Sequence, residues 1–574
     1  MTNLLGFGIE GLDVPGLATI ARLVFAALAL FGAVLSARRV DDRRAGRIVL
    51  WVGIAGHALA WFATMFPLAN VYGANGSMDR ENHLGWANVV ALGFSPLRTF
   101  QVNHLHFEPL WPLLTAMASG FNADRVGLIF QWAPLIVGLA LMFSIRFAWT
   151  RGMEASELLS AEASFAAMGA LLLMAAPGDF AGPFRNPWAL TFLLKPNHAL
   201  GLVLVPLAAL ALTRAHSWKT RIFAGFVLQL VGWAFVIHMA LFVAGLMVFV
   251  AMSWVTQPKD RMKDLVDVVT AVGVNLLIVS PYLVMLVVAY PFLHGDNAHR
   301  VPVLSEGIIE APLRLGLMLL FSGLGARLVY RKGGRMGRIL ACQWLTSHIV
   351  WQVFPILGFF GQARERDEVF YWCRFWTALL AGVGLFRAAH LVLVRLRTPL
   401  VGEARLVGVS AGLSLALLLP SLLPAWWDPS AMDQYFVAAR NPVPDWIASP
   451  TTFIRTSTPQ EAVFAGDRGY ARWIAAYGAR RVLLANSLNK PGDSGRRIEI
   501  ENALLREGTE SVVAEGRDRY AIQYLLATSR PLEQAPDVTL DWLKSRPHLE
   551  TVYDHQFETV RVMIFRVRPR SDRP

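Results

Sequence analysis

The sequence predicts an α-helical polytopic membrane protein of about twelve spanning helices, ending in a C-terminal extracytoplasmic α/β domain. Composition is the first observation behind this: hydrophobic residues make up 55% of the chain and charged residues 16%, against roughly 25% charged in ordinary soluble domains. A soluble chain of 574 residues this apolar would expose more hydrophobic surface than water tolerates. Secondly, apolar runs of the length a bilayer demands, roughly 20 residues, recur along residues 1–424. Thirdly, Lys and Arg fall in short clusters in every second connection. The formal net charge of +12 is therefore distributed by topology, not along a continuous stripe, and no nucleic-acid partner is expected. The two cysteines, Cys342 and Cys373, offer no disulfide framework.

The apolar runs centre on 16–37, 48–68, 124–148, 158–176, 198–213, 222–238, 240–256, 265–290, 310–329, 338–358, 371–394 and 404–424. Arg22 lies inside the first and can snorkel to the surface. Basic clusters follow the odd-numbered runs: Arg38 to Arg47, Arg146 and Arg151, Arg214 to Arg221, Lys259 to Lys263, Arg327 to Arg338, and Arg395 to Arg405. All can be cytoplasmic, with an external N-terminus, provided that 222–256 is two helices turning near His238 and not one. The N-terminal tail agrees, holding Glu10 and Asp13 and no basic residue before Arg22. Nor does it resemble a cleaved signal peptide. The expected location is the inner (plasma) membrane, multi-pass, with residues 1–424 as the membrane domain.

The opposite loops then face outward. The largest, 69–123, carries helical segments of its own, Gly85–Leu92 and Pro109–Met117, while 177–197, 291–309 and 359–370 are shorter. Loops this long are usually functional. Residues 425–574 change character, alternating strand-like runs (Ala462–Ala465, Arg481–Ala485, Ala521–Ala527, Val560–Val567) with helical ones (Tyr470–Tyr477, Ile498–Arg506, Leu540–Arg546). That is one soluble α/β domain, placed by the alternation on the outer face.

Candidate chemistry follows the outer loops. Asp79-Arg80-Glu81-Asn82-His83 sets two carboxylates two residues apart, suited to a general base with an orienting or metal-binding partner, or else to a solvated loop. His104-Leu105-His106-Phe107-Glu108 has metal-ligand residue types close together, or packs the loop at the interface with Trp111. Lys195-Pro196-Asn197-His198 precedes an apolar helix, whose N-terminus favours an anion such as phosphate or is a plain cap. Arg364, Arg366 and Arg374 suit lipid phosphate at a membrane edge, or pair with Glu365, Asp367 and Glu368. His238 lines a cavity or packs. GxxxxGK[ST] is missing, as is GxGxxG after a strand, so no nucleotide cofactor is expected.

Together these features resemble the GT-C superfamily of membrane glycosyltransferases, which use polyprenyl-phosphate-linked sugars, as in protein O-mannosyltransferases and the aminoarabinose transferase of lipid A. Asp79-Arg80-Glu81 looks like the acidic motif of that superfamily's first outer loop. The run from Phe107 to Leu114 resembles the proline-rich entry to its next helices, and Glu368 to Phe375 its late aromatic-rich Arg segment. Thr458 to Phe464, Tyr470 to Ile474 and Arg480 to Leu483 look like the opening of its soluble domain. The chain departs from the pattern in an additional early span and in Asp-x-Glu replacing adjacent carboxylates.

The resemblance implies an enzyme that transfers a sugar from a polyprenyl-phosphate donor to an extracytoplasmic lipid, glycan or protein acceptor. Asp79 and Glu81 would be catalytic, Glu81 with or without a divalent cation (Mg2+ or Mn2+). Lys195, His198, Arg364, Arg366 and Arg374 would bind the donor phosphate, and His83, His104, His106 and Glu108 the acceptor or a metal. The alternatives are a transporter or flippase for a lipid-linked saccharide, or a non-catalytic cell-envelope assembly protein. A transporter predicts internal repeats and charges deep within helices, whereas most ionisable groups here lie at helix ends or in outer loops.

Overall fold

The computed structural model describes residues 41–60, 78–93, 109–154, 159–173, 178–179, 182–185, 196–289, 307–352, 363–395, 403–422, 443–484, 494–505, 510–529 and 540–568. The described residues are mostly helical. In chain order the helices are α1 (Asp42–Ala60), α2 (Met78–Ala91), α3 (Leu110–Ala118), α4 (Ala123–Gly152), α5 (Leu159–Met168, continued by a π turn over Gly169–Leu173) and α6 (Pro196–Thr213). They continue as α7 (Trp218–Ala234), α8 (Val236–Thr256), α9 (Arg261–Ala289), α10 (Gly307–Lys332), α11 (Gly334–Gln352), α12 (Ala363–Arg395) and α13 (Glu403–Leu422). The last five are α14 (Asp445–Ser457), α15 (Arg468–Ala476), α16 (Ser494–Leu505), α17 (Glu510–Tyr520) and α18 (Leu540–Lys544). The strands are β1 (Gly178–Asp179), β2 (Gly182–Arg185), β3 (Val463–Gly466), β4 (Arg481–Val482), β5 (Ile522–Thr528), β6 (Leu549–Gln556) and β7 (Arg561–Val567).

The chain forms two compact units. One comprises residues 1–66, 134–279 and 297–436; the other comprises 67–133, 280–296 and 437–574.

In the first unit a helix occupies each predicted apolar run from the second onward; the run 16–37 lies outside the described residues. Trp132–Gly152, Val236–Thr256 and Tyr371–Arg395 are long and apolar enough to cross a membrane, three among the described residues against twelve runs predicted. Charge near the ends dilutes others: α9 opens with Arg261, Lys263, Asp264 and Asp267. The first unit has an apolar core and also carries apolar residues on its surface. Val255, Leu277, Leu320 and Trp51 are 81, 75, 67 and 66% exposed, while Gln229, Asn275, Gln343, Ser347 and Thr377 are fully buried. Lipid tolerates such a coat, and buried amides then join helices to one another. The Gln229 and Asn275 amides meet at 3.0 Å, and Gln343 Nε2 donates to Phe242 O at 2.8 Å. Close backbone approach does the rest: a Cβ on Gly382 would meet Phe165 O, and one on Gly384 would meet Phe321 O, so α12 packs on α5 and α10 through glycine.

The stretch 222–256 is two helices. Phe235 takes an extended conformation (φ −160°, ψ 109°) and its N–H closes α7 on Val231 O, so the break falls three residues before His238. A Ser217–Thr220 capping box starts α7.

The basic turns meet at one end of this unit. Arg335 lies 2.9 Å from Asp264 and 2.8 Å from Asp267, Arg221 lies 2.6 Å from Asp267, and Ser253 donates to Asp264 at 2.8 Å. Arg214 reaches Arg151 O at 3.1 Å, Arg335 reaches Leu212 O at 3.1 Å, and Arg387 pairs with Glu162. These pairs bind α4, α6, α7, α9 and α11, and separately α5 and α12, at their basic ends.

The second unit is built on a five-stranded sheet of order β4-β3-β5-β7-β6, parallel from β4 to β5 and antiparallel beyond. Its core includes Val463, Leu483, Ile500, Leu504, Leu525, Leu543, Met563 and Phe565. Four of these strands and three of these helices match the predicted elements; β6, α14 and α17 were not predicted. In β6, Asp554 takes both Nε and Nη2 of Arg561 at 2.8 Å and Lys544 at 3.3 Å. The Arg561 hydrogen bonds hold its carboxyl below the ordinary carboxylate range. Its stabilisation is therefore full above the unfolded value of about 3.9 and lost as pH falls through the lower folded value. Asp554→Asn should cost about 1 kcal/mol at pH 7, a discounted figure for a pair that is only partly buried, and nothing near pH 2. Hydrogen exchange of β6 and β7 at both pH values reads this; an equal loss at both would refute the ionic account.

Candidate functional site

Two places draw the candidate residues together, one in each unit. In the second unit, α2 begins at Met78, seven residues before the predicted segment, so positions 79 and 81 fall in its first turn. The positive end of a helix favours ionised carboxylates there by about 0.3–1 kcal/mol. His83 is buried at 6% exposure, its ring 5.4 Å from that of Trp86 one turn on.

The helix is pinned to the C-terminal domain. Asn88, 2% exposed, donates from Nδ2 to Ala475 O at 3.1 Å and Ala476 O at 2.8 Å, capping the end of α15. A Cβ on Gly85 would lie 3.0 Å from the Ala475 side chain, so α2 and α15 are in close contact there and a larger residue would press on α15. The acid-bearing helix is thus part of the folded α/β unit. From its other side, α14 is tied to the start of α4: Arg455 Nε donates to Asp124 at 2.7 Å and Nη2 to Ala123 O at 3.2 Å.

In the first unit the starts of α6 and α8 converge on the third turn of α12. The His198 ring lies 3.6 Å from Phe235, 5.5 Å from His238 and 6.1 Å from Tyr371, and His238 lies 5.1 Å from Trp372. His198 and His238 are buried at 3% and 0% exposure, and Arg374, one turn beyond Tyr371, at 1%. Local sequence explains the arrangement: the extended Phe235 starts α8 and puts His238 in its first turn, and Gly201 leaves room, since a Cβ there would sit 2.7 Å from His238 Nδ1. Neither ring nitrogen of His238 has a hydrogen-bond partner among the described residues. A buried imidazole with both nitrogens unengaged is suited to a polar ligand.

A second polar group stands at the same ends of α11 and α12. His348 meets Thr377 Oγ1 at 3.0 Å, Gln352 Nε2 at 2.9 Å and Cys373 Sγ at 3.5 Å. Sequence reasoning missed it, although Gln352 and Thr377, each four residues from a partner on an apolar helix, are a readable signal.

Of the other predicted residues, Arg364 and Arg366 lie in the first turn of α12. Lys195, His104, His106 and Glu108 lie outside the described residues, Lys195 directly before α6. Among the described residues no three His, Cys, Asp or Glu side chains stand together as a metal site.

No protein-family model matches the chain, and no curated protein matches it. Among solved structures it is similar to the archaeal oligosaccharyltransferase AglB from Archaeoglobus fulgidus, in complex with an inhibitory peptide and a dolichol-phosphate. Identity is 13% and the TM-score 0.46, over 96% of this chain and 75% of that one. The Archaeoglobus fulgidus oligosaccharyltransferase in complex with Zn and sulfate gives 14% and 0.45, over 87% and 67%. ArnT from Cupriavidus metallidurans in the apo state gives 14% and 0.49, over 96% and 98%.

Proposed function

We propose that the chain is an integral membrane glycosyltransferase that moves a sugar from a polyprenyl-phosphate carrier to an extracytoplasmic lipid, glycan or protein. The observation that carries this reading is the pinning of α2 onto the C-terminal domain through Asn88. This contact supports reading the acidic segment as part of one folded unit with the soluble domain, on the same side of the membrane. By the positive-inside rule the basic end of the first unit faces the cytoplasm. The opposite ends, with His198, His238, Tyr371 and Arg374, then face outward.

In this reading the donor phosphate is held by Lys195, His198, Arg364, Arg366 and Arg374. Asp79 accepts the proton of the acceptor hydroxyl as its oxygen bonds to the anomeric carbon. The bond from that carbon to phosphate breaks, and polyprenyl phosphate leaves with the electron pair. Glu81 positions acceptor or donor, with or without Mg2+ or Mn2+, and no step runs through the metal. His83, His104, His106 and Glu108 serve the acceptor side.

Two measurements test this. A deletion strain should lose a sugar from its envelope glycans or lipids, and the purified protein in liposomes should consume a labelled polyprenyl-phosphate sugar. Unchanged glycans together with an unconsumed donor would overturn the reading. For sidedness, Ser77→Cys should react with an impermeant maleimide in intact cells, and Lys332→Cys only after permeabilisation; the reverse pattern would move the acidic helix to the cytoplasm.

A further inference from the structure

A cleft of about 260 Å3 opens at the basic end of the first unit between α8, α10 and α11. Its wall is apolar, with Met252, Ala326 and Leu345, and its mouth carries Arg327, Tyr330 and Arg331. Along α8, Met252 is 14 residues beyond His238, about 21 Å at the helical rise. The cleft is therefore remote from the buried histidines and belongs to the opposite membrane face.

Among the described residues no carboxylate pairs with the charges at the mouth. Arg327 and Arg331 are both exposed and stand one turn apart on one face of α10, where like charges repel. None of the described residues that line the cleft is a carboxylate. The acids that open α9 are engaged elsewhere: Asp264 and Asp267 by Arg335 and Arg221, Asp260 by Arg338. Tyr330 OH is fixed 2.8 Å from Thr256 Oγ1, which holds a hydroxyl beside the two guanidinium groups. Below them Gly323 leaves the cleft open: a Cβ built there meets nothing within 4 Å.

We propose that this cleft binds one anionic phospholipid, its phosphate between Arg327 and Arg331 and an acyl chain along Met252, Ala326 and Leu345. The shape and charge follow the lipid's own division. Guanidinium groups at the interface attract an anionic headgroup, and the apolar wall below replaces neighbouring lipid tails. Gly323 lets the chain approach the α10 backbone.

Native mass spectrometry of the purified full-length protein tests the assignment, with phosphatidylglycerol and phosphatidylcholine of identical acyl chains as probes. One phosphatidylglycerol should be retained per chain, in preference to phosphatidylcholine. The double variant R327Q/R331Q should lose this preference, weakening phosphatidylglycerol about 30-fold, or roughly fivefold per basic residue. R327K/R331K should keep most of it. Gly323→Phe keeps both arginines but fills the cleft, and should weaken both lipids. Inorganic phosphate should not displace the lipid. Equal retention of the two lipids, full phosphatidylglycerol binding by R327Q/R331Q, or full binding by Gly323→Phe would each overturn the proposal, the last by reducing it to surface attraction.

Discussion

Asp79→Asn should lower sugar transfer by roughly a hundred- to ten-thousandfold, the range for removing a general base, while the protein still inserts and folds. The substitution keeps the size and shape of the side chain and removes the proton acceptor. Its structural cost is small, because one charge in the first turn of α2 contributes only about 0.3–1 kcal/mol to the helix. What holds α2 in place lies further along, at Gly85 and Asn88 against α15. Activity and stability are therefore separable. Turnover is measured with the lipid-linked donor, and folding by protease resistance of the C-terminal unit. Near-normal transfer by a well-folded Asp79→Asn protein would remove Asp79 from the reaction.

Arg480→Met should destabilise the second unit by about 3–5 kcal/mol, the cost of leaving several buried polar groups without partners. Arg480 is 3% exposed and spends its donors on backbone and hydroxyl oxygen. Nη2 reaches Arg455 O and Thr458 O at 2.7 Å, Nη1 reaches Ala479 O at 3.1 Å and Gly478 O at 3.3 Å, and Nε reaches Thr458 Oγ1 at 3.1 Å. The guanidinium thus gathers the carbonyls at the end of α14 and the turn before β4, where Ala479 takes a positive φ of 50°. Methionine fills similar space but donates nothing. Arg480→Lys should recover part of the loss, since an ammonium satisfies fewer carbonyls in a different geometry. Hydrogen exchange across 443–484 checks both; unchanged protection in Arg480→Met would show that water or a shifted backbone satisfies these carbonyls.

Local pattern made much of the fold legible. Apolar length marked the helices of the first unit, and basic clusters grouped turns that meet at one end through ion pairs, such as Arg221 with Asp267, and hydrogen bonds, such as Arg214 to the Arg151 carbonyl. Short apolar runs marked β3, β5 and β7, which are buried almost along their whole length. What escaped depends on partners distant in sequence. Strand β6, Leu549–Gln556, is largely polar and lies at the sheet edge, so its pattern carries no core face. The start of α2 at Met78 was hidden because Met78 to Glu81 has no apolar period, and the helix is supported by α15 instead. The same holds for the candidate site. His198 and Arg374 were readable as polar residues at membrane edges, but their neighbour Tyr371 and the role of Asn88 depend on contacts no local spacing encodes. Gln229 and Asn275 likewise pair across 46 positions.

The hydrogen bond from Asn88 to Ala475 joins residues 387 positions apart. At about 5–20 residues per second of synthesis, the acidic helix emerges roughly 20–80 s before the surface it docks on exists. Throughout that interval α2 is a short segment without its tertiary support, and helices of this length are marginal alone. Synthesis through α15 therefore acts as a completion signal: a protein truncated before α15 would have every described helix of the first unit yet never lock the acidic segment. Assembly order, and not only final geometry, ties any activity at positions 79 and 81 to synthesis as far as α15.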